Sequence, residues 1–337
     1  LKADVSGSAE ALRDSLEALS LEEIRVRVVS TGVGPVSRSD VLLAQASDGI
    51  IVGFHVRPLP VAKQLAEKEG IEIRTYRIIY AAIVSVIIIW YRILKPILNW
   101  DHKWRVVENR VERGDARTLV LEPVGHQGIS FQPGQFAWLK LGRTPFGIGQ
   151  HPISISSNAE IETGEPIAFT IKNLGDWSGE QVPAVLPGEE VWVDGPHGVF
   201  SVDREQGMGY VLIGGGVGIT PLYSMLQTLA AREDVRPVYL FYGGSNWESL
   251  TFREELDQLT DRLNLQIIYV LSRPDDDWTG ETGYINGDIL SRYLPKQFKR
   301  FVYLICGPPP LMDAMEEDLP ALGVHWEHVH TERFDMV

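Results

Sequence analysis

One stretch limits the fold of this chain more than any other: Leu212-Ile-Gly-Gly-Gly-Val-Gly-Ile-Thr-Pro-Leu222. An apolar run of strand type enters glycines at 214, 215, 216 and 218, then passes into Thr220-Pro221, where proline suits the first turn of a helix. Glycines let a backbone approach a pyrophosphate, and a helix N-terminus adds unpaired N–H groups and positive potential. The stretch therefore predicts a strand, loop and helix that cradle a dinucleotide on Gly214, Gly215, Gly216, Gly218, Thr220 and Pro221. Ile219 stands where the third glycine of the usual G-x-G-x-x-G pattern would be, so that pattern is not met. A glycine turn that serves packing alone is the competing reading.

Around this stretch the pattern alternates. Residues 210–214, 238–242, 266–271, 301–306 and 327–331 read as strands, and 220–231, 250–263 and 308–322 as the helices between them. Leu304-Ile-Cys306-Gly307-Pro308 ends a strand and opens a helix; its cysteine suits either a packed core or a site. Upstream, 104–111, 118–123, 136–141, 153–156, 167–173 and 190–194 are short β runs parted by turns such as Pro133-Gly134 and Pro187-Gly188. Six closely spaced strands predict an antiparallel barrel.

Charge and aromatic residues divide the chain again. The total of -14 over 337 residues resolves into -1 for residues 1–80, +2 for 81–100 and -15 for 101–337. All nine tryptophans lie at or after Trp90. The acidic balance argues against nucleic acid as a partner of the larger part. A single cysteine excludes an intrachain disulfide and a multi-thiolate metal site.

The first 80 residues alternate strand and helix: a strand at 1–5, a helix from Ser8, a period-two run at 24–28, a helix from Ser37 or Ser39 to Ala46, a buried strand at 49–56, a helix over 60–69 closed by Gly70, and a strand at 71–79. This order predicts a small parallel sheet with helices packed on it. Residues 78–91 then carry no charge and end at Arg92. Fourteen residues fall short of the roughly 20 of a spanning helix, so a buried linker helix competes with the inner half of a membrane span. Trp90, Tyr91, Arg92 and Lys95 form the aromatic and basic collar of a cytoplasmic membrane face. Leu1 is not a methionine, nothing resembles a signal peptide, and the chain reads as a fragment.

Leu1-Lys-Ala-Asp-Val-Ser-Gly-Ser-Ala-Glu-Ala-Leu12, Ser30-Thr-Gly-Val-Gly-Pro-Val-Ser-Arg-Ser-Asp40 and Ile51-Val-Gly-Phe-His-Val-Arg-Pro58 closely resemble the third, α/β, domain of bacterial translation initiation factor two, over about residues 1–80. That resemblance implies a ribosome-associated spacer without chemistry. No G-x-x-x-x-G-K-[ST] phosphate loop is present to support a GTPase.

Gln150-His-Pro-Ile-Ser-Ile-Ser-Ser157, Pro133-Gly-Gln-Phe136, Ile171-Lys-Asn-Leu-Gly-Asp-Trp-Ser178 and Asp194-Gly-Pro-His-Gly198 resemble the flavin-binding half of the ferredoxin-NADP reductase superfamily. The His-Pro-x-Ser form is similar to its ferric reductase and NADPH oxidase branch. The resemblance spans about residues 84–337 and implies that His151, Pro152, Ile171, Lys172, Trp177 and Ser178 hold FAD, with the Ser154 hydroxyl near flavin N5. It implies further that Cys306, Gly307 and Glu332 line the hydride path beside the nicotinamide, and that Phe334 covers the flavin ring. Ser272-Arg273 matches the pair that recognises the 2′-phosphate of NADPH, and a guanidinium suits that dianion. NADH stays possible, because Gly243-Gly-Ser-Asn246 lacks the second arginine of many relatives.

The resulting expectation is a multidomain chain. It comprises an α/β/α parallel-sheet domain at 1–80, an apolar linker helix at 81–99, an antiparallel β-barrel flavin domain at 100–204 and an α/β Rossmann-like nicotinamide domain at 205–337. Hydride would pass from NADPH to FAD, and single electrons onward to a haem-bearing membrane domain or a soluble acceptor, on the cytoplasmic face of the cell membrane. A ribosome-docking module carried by residues 1–80 is the rival class. His325, His328 and His330 lack a completing carboxylate, so no metal is expected, and Asp275-Asp-Asp277 reads as a solvated loop.

Overall fold

The computed structural model describes residues 1–5, 9–10, 13, 27–47, 49–76, 102–142 and 149–333; the expected apolar helix at 81–99 and Phe334 lie outside them. The chain divides into two compact units, Leu1–Leu98 and Asn99–Val337.

In the first unit β1 (Lys2–Ala3), β2 (Gly32–Val33), β3 (Ile51–Phe54) and β4 (Ile73–Tyr76) form one parallel sheet in the order β2-β1-β3-β4. Helix α1 (Arg38–Ala46) starts at Ser37, whose N–H donates to the Asp40 carboxylate at 2.8 Å. Helix α2 (Pro60–Glu69) has proline in its first turn and stops at Gly70, whose φ of 68° is the left-handed conformation glycine adopts without cost. Val36, Val41, Ala44, Ile51, Ala62 and Ala66 make the core between sheet and helices. Of the strand expected at 24–28, residues 24–26 lie outside the described ones; 27–30 are irregular, and pairing falls at Gly32–Val33. There the Gly32 and Gly34 N–H groups donate to the Leu1 and Ala3 carbonyls at 3.0 and 2.8 Å.

In the second unit β5 (Lys103–Glu112), β6 (Ala116–Val124), β7 (Phe136–Leu141), β8 (His151–Ser154), β9 (Ile167–Lys172) and β10 (Glu190–His197) form a curled antiparallel sheet in the order β8-β7-β10-β5-β6-β9. Its ends meet where Ile155 bridges Phe169 and the Ser156 N–H donates to the Ala168 carbonyl at 2.8 Å. Strand β8 begins earlier than expected because His151 and Pro152 pair with β7, while Ile155 and Ser156 turn to β9. Trp104, Leu119, Leu121, Leu139, Ile155 and Phe169 fill the interior.

The following α/β half has β11 (Tyr210–Gly215), α3 (Ile219–Ala231), β12 (Val238–Gly244), α4 (Arg253–Leu259), β13 (Leu265–Leu271), β14 (Glu281–Thr282), α5 (Gly287–Tyr293), β15 (Val302–Gly307), α6 (Pro309–Ala321) and β16 (Val329–Arg333). All six strands are parallel, in the order β14-β13-β12-β11-β15-β16. Leu212, Leu304 and Cys306 face the α3 side; Ile213 and Ile305 pack with Met312 and Met315 of α6. Helix α4 is shorter than the expected 250–263, because Phe252 takes a left-handed φ of 61° and Thr251 is drawn into tertiary bonds. Its N–H donates to the Tyr242 hydroxyl and its Oγ1 to the Arg113 carbonyl, both at 3.0 Å. Strand order reverses between β11 and β15, and in open α/β sheets ligands bind beyond the carboxyl ends of the strands at such a point.

Candidate active site

The glycine loop lies at that reversal, and its glycines do two different jobs. A Cβ on Gly218 would sit 2.1 Å from the Cys306 carbonyl oxygen, and one on Gly215 2.8 Å from Cδ of Pro308. A Cβ on Gly307 would meet Leu311 Cδ2 at 2.7 Å and the Gly215 nitrogen at 3.1 Å. These glycines let two turns pack backbone on backbone, so the packing reading holds for them. Gly216 differs: its φ is 56°, and among the described residues the sole neighbour within 4 Å of a built Cβ is the Lys172 Nζ, at 3.7 Å. The first turn of α3 follows, with Pro221 buried and the Thr220 Oγ1 buried without a hydrogen-bond partner among the described residues.

Cys306, next to last in β15, is fully buried, and the parallel register pairs it with Glu332 of β16. Burial pushes the thiol well above its ordinary value, and the nearby Glu332 charge adds to the rise. Burial likewise pushes the Glu332 carboxyl up. A cavity of about 640 Å³ opens beside Glu332, lined also by Phe200, Glu205 and His330.

The barrel supplies the other half. Ser154 is buried at the end of β8, opposite Phe136 of β7. At the start of the same strand the His151 ring stacks on Trp177, centroids 3.9 Å apart and planes 22° from parallel. Burial pushes the His151 imidazole below its ordinary value. Pro152 is exposed on that strand, while Ile171 is buried at the end of β9 beside Lys172. Ser178 shapes its loop, its hydroxyl accepting from the Leu174 N–H at 2.8 Å and donating to the Gly175 carbonyl at 3.1 Å.

Ser272 and Arg273 leave β13 with their N–H groups donated to the Gly244 and Ser245 carbonyls, at 3.0 and 2.7 Å, which joins the loops after β12 and β13. Arg273 is exposed, and so are Asp275, Asp276 and Asp277 on the following turn. His330 stands 3.3 Å from Glu205, and no group of metal-ligating residues occurs among the described residues.

The structure thus brings the glycine loop, Thr220, Cys306, Gly307 and Glu332 together, links them to the barrel through Lys172, and gathers His151 with Trp177. Sequence reasoning missed the polar face of α3, whose Ser224, Gln227 and Thr228 bond to the segment after Ser154. Their spacing of three and four residues was the available signal.

Comparison with known proteins matches each unit separately. Residues 1–86 match the family model for translation-initiation factor 2, and residues 212–317 that for the oxidoreductase NAD-binding domain. Translation initiation factor IF-2 of Rubrobacter xylanophilus is 57% identical over 86 residues, covering 26% of this chain and 12% of the relative. The chain thus spans about a tenth of the length of the curated relatives it matches, 12% and 10% for the IF-2 proteins of Rubrobacter xylanophilus and Amoebophilus asiaticus. Among solved structures, the FAD/NAD binding domain of nitric oxide dioxygenase from Vibrio cholerae aligns at TM-score 0.61 and 24% identity, covering 69% of this chain and 98% of that one. A ferredoxin NADP+ reductase from Neisseria gonorrhoeae with bound FAD and NADP aligns at TM-score 0.57 and 18% identity, covering 68% of this chain and 97% of that one. Residues 1–86 are therefore an initiation-factor-2 domain, and residues 212–317 an oxidoreductase NAD-binding domain within the fold of FAD/NAD reductase modules.

Proposed function

We propose that residues 99–337 are an NAD(P)H-dependent FAD reductase that favours NADPH and hands electrons onward singly. The observation that carries this reading is the meeting of the two halves, where the Lys172 Nζ of the barrel lies 3.7 Å from where a Cβ on Gly216 would stand. The residues fit both dinucleotides: an open left-handed glycine, a buried threonine hydroxyl in want of a partner and a lysine converge at a helix N-terminus. When bound, the cofactors supply the redox chemistry, hydride leaving the nicotinamide for the flavin and electrons leaving the flavin for an acceptor.

The chain's own residues bind and align. Gly214, Gly216, Thr220 and the α3 N-terminus would hold the nucleotide pyrophosphate, and Arg273 a 2′-phosphate. Lys172 would neutralise phosphate charge, and His151 stacked on Trp177 would give the FAD a rigid wall. Ser154 would donate a hydrogen bond to the flavin, while Cys306 shapes the nicotinamide pocket. Glu332, its carboxyl raised by burial, would stand beside that pocket. Phe334, outside the described residues, is assigned to cover the flavin.

The His151-Pro-Ile-Ser154 form supports placing the module in the ferric reductase and NADPH oxidase branch. A haem-bearing membrane partner, oxygen or ferric iron then becomes the acceptor, and the cytoplasmic membrane face the location. No helix among the described residues is long and apolar enough to cross a membrane. FAD-supplied protein should show flavin absorbance that NADPH bleaches anaerobically; no bound flavin, or no bleaching by either NADPH or NADH, sinks the reading.

A second reading has one observation in its favour, the match of residues 1–86 to translation-initiation factor 2. Residues 1–86 would then dock the chain on ribosomes. Co-sedimentation with ribosomal subunits tests it, and a chain left wholly in the supernatant removes it.

A further inference from the structure

Helix α3 joins the nucleotide loop to the barrel through a row of hydrogen bonds. Ser224, Gln227 and Thr228 stand at positions i, i+3 and i+4, side by side on one helix face. The Ser224 hydroxyl donates to the Ser157 carbonyl at 2.6 Å, the Gln227 amide to the Ser156 carbonyl at 2.7 Å, and the Ala159 N–H to the Thr228 hydroxyl at 2.9 Å. Ser224 and Thr228 are fully buried. Four residues on, Arg232 bridges Glu160 at 2.6 Å and Asp203. The barrel holds the same segment from behind: the Ile155 N–H donates to the Gln135 carbonyl at 3.0 Å, and the Thr170 hydroxyl to that of Ser156 at 3.0 Å.

The other end of α3 is equally fixed, because Gly218 at its start lies against the Cys306 carbonyl. A continuous series of short contacts therefore runs from Ser154 through the 155–159 segment and α3 to the glycine loop and Cys306. Two domains of one chain ordinarily move against each other, and three directional bonds from one helix face to one loop oppose that motion.

We propose that Ser224, Gln227 and Thr228 are positioning residues for hydride transfer. They fix the register between the barrel strand that carries Ser154 and the loop that carries the nucleotide. The inference rests on the reductase reading. Hydride transfer needs reacting atoms about 3–3.5 Å apart, and a misplacement of about 1 Å can cost roughly 100-fold in rate. Small errors in this register therefore reach the rate before they reach binding.

The test uses the whole FAD-loaded chain and the variants Ser224→Ala, Gln227→Leu, Thr228→Val and their triple combination, with Thr228→Ser as the conservative control. Three quantities are read: the single-turnover rate of flavin reduction, the Kd of the oxidised nucleotide, and amide exchange over residues 154–160 by mass spectrometry. The triple variant should reduce its flavin about 10- to 100-fold more slowly with Kd within about two-fold of wild type, and faster exchange should be confined to 154–160. Thr228→Ser should keep the wild-type rate. A triple variant whose segment exchanges faster while the rate stays within two-fold overturns the proposal, and so does a rate loss matched by an equal loss of affinity. If the triple variant does not fold, the single variants decide by the same split. A wild-type chain that neither nucleotide reduces defeats the reductase reading instead, and unchanged exchange in the triple variant then defeats the clamp separately.

Discussion

The molecule holds two parallel sheets whose strand order reverses beside the first strand, and among the described residues the two reversals carry different groups. In the reductase sheet β11 and β15 end in glycines that press two turns together and open Gly216 toward Lys172. In the initiation-factor unit the matching ends of β1 and β3 carry Asp4 and His55, paired at 3.4 Å, with His55 in a left-handed φ of 52° and its ring stacked on Phe54 at 4.6 Å. One reversal offers glycine backbone and a cation; the other carries a carboxylate and an imidazole. A parallel α/β topology thus places a candidate site without making one, and what stands in the first few residues after each strand decides.

The largest way to break this contrast is Gly218→Ala. Its Cβ would fall 2.1 Å from the Cys306 carbonyl, so the turns must part; nucleotide affinity should drop more than about 100-fold and thermal unfolding should move down. Retained nucleotide binding, read by difference absorbance, would show that close packing of the turns is dispensable. Next, Arg273→Ala should lower the NADPH/NADH ratio of kcat/KM about ten-fold, since a charge-assisted contact to a dianion is lost. An unchanged ratio would place 2′-phosphate recognition elsewhere.

His151 supplies a pH test. Its folded value lies below the ordinary imidazole value of 6.5, so below that pH the unfolded chain binds more protons. Stability therefore rises with pH through the window between the two values, and is lost as pH falls toward the folded one. His151→Gln should remove up to about 1.4 kcal/mol per pH unit of that slope in denaturant titrations. An identical slope in the variant would mean His151 is not the group that titrates. The smallest effect is expected at the Asp4–His55 pair. Asp4→Asn should cost under about 1 kcal/mol, as exposed ion pairs do, and should create no nucleotide binding in the first unit.

Features written in neighbouring residues were legible beforehand. Helix α2 runs over Pro60–Glu69 with Gly70 closing it, and the glycine loop turns from strand to helix as its residues indicate, because both depend on local conformational limits. The rest depends on partners far along the chain. Gly215 and Gly218 read as phosphate-binding glycines, yet their nearest neighbours are Pro308 and Cys306. The start of α4 is set by Tyr242 and Arg113, and the shift of β8 by β9. The bonds of Ser224, Gln227 and Thr228 were not legible, since nothing in the helix itself names the backbone groups they meet.

Cys306 gives the chain a built-in clock. It is the single thiol in 337 residues, fully buried on a central strand, and burial suppresses its thiolate. Thiol reagents can then reach it only when β15 opens, so the speed of labelling measures how often the nucleotide sheet comes apart. Ligands that hold the sheet shut will slow that clock, and their binding can be followed without light absorption or turnover.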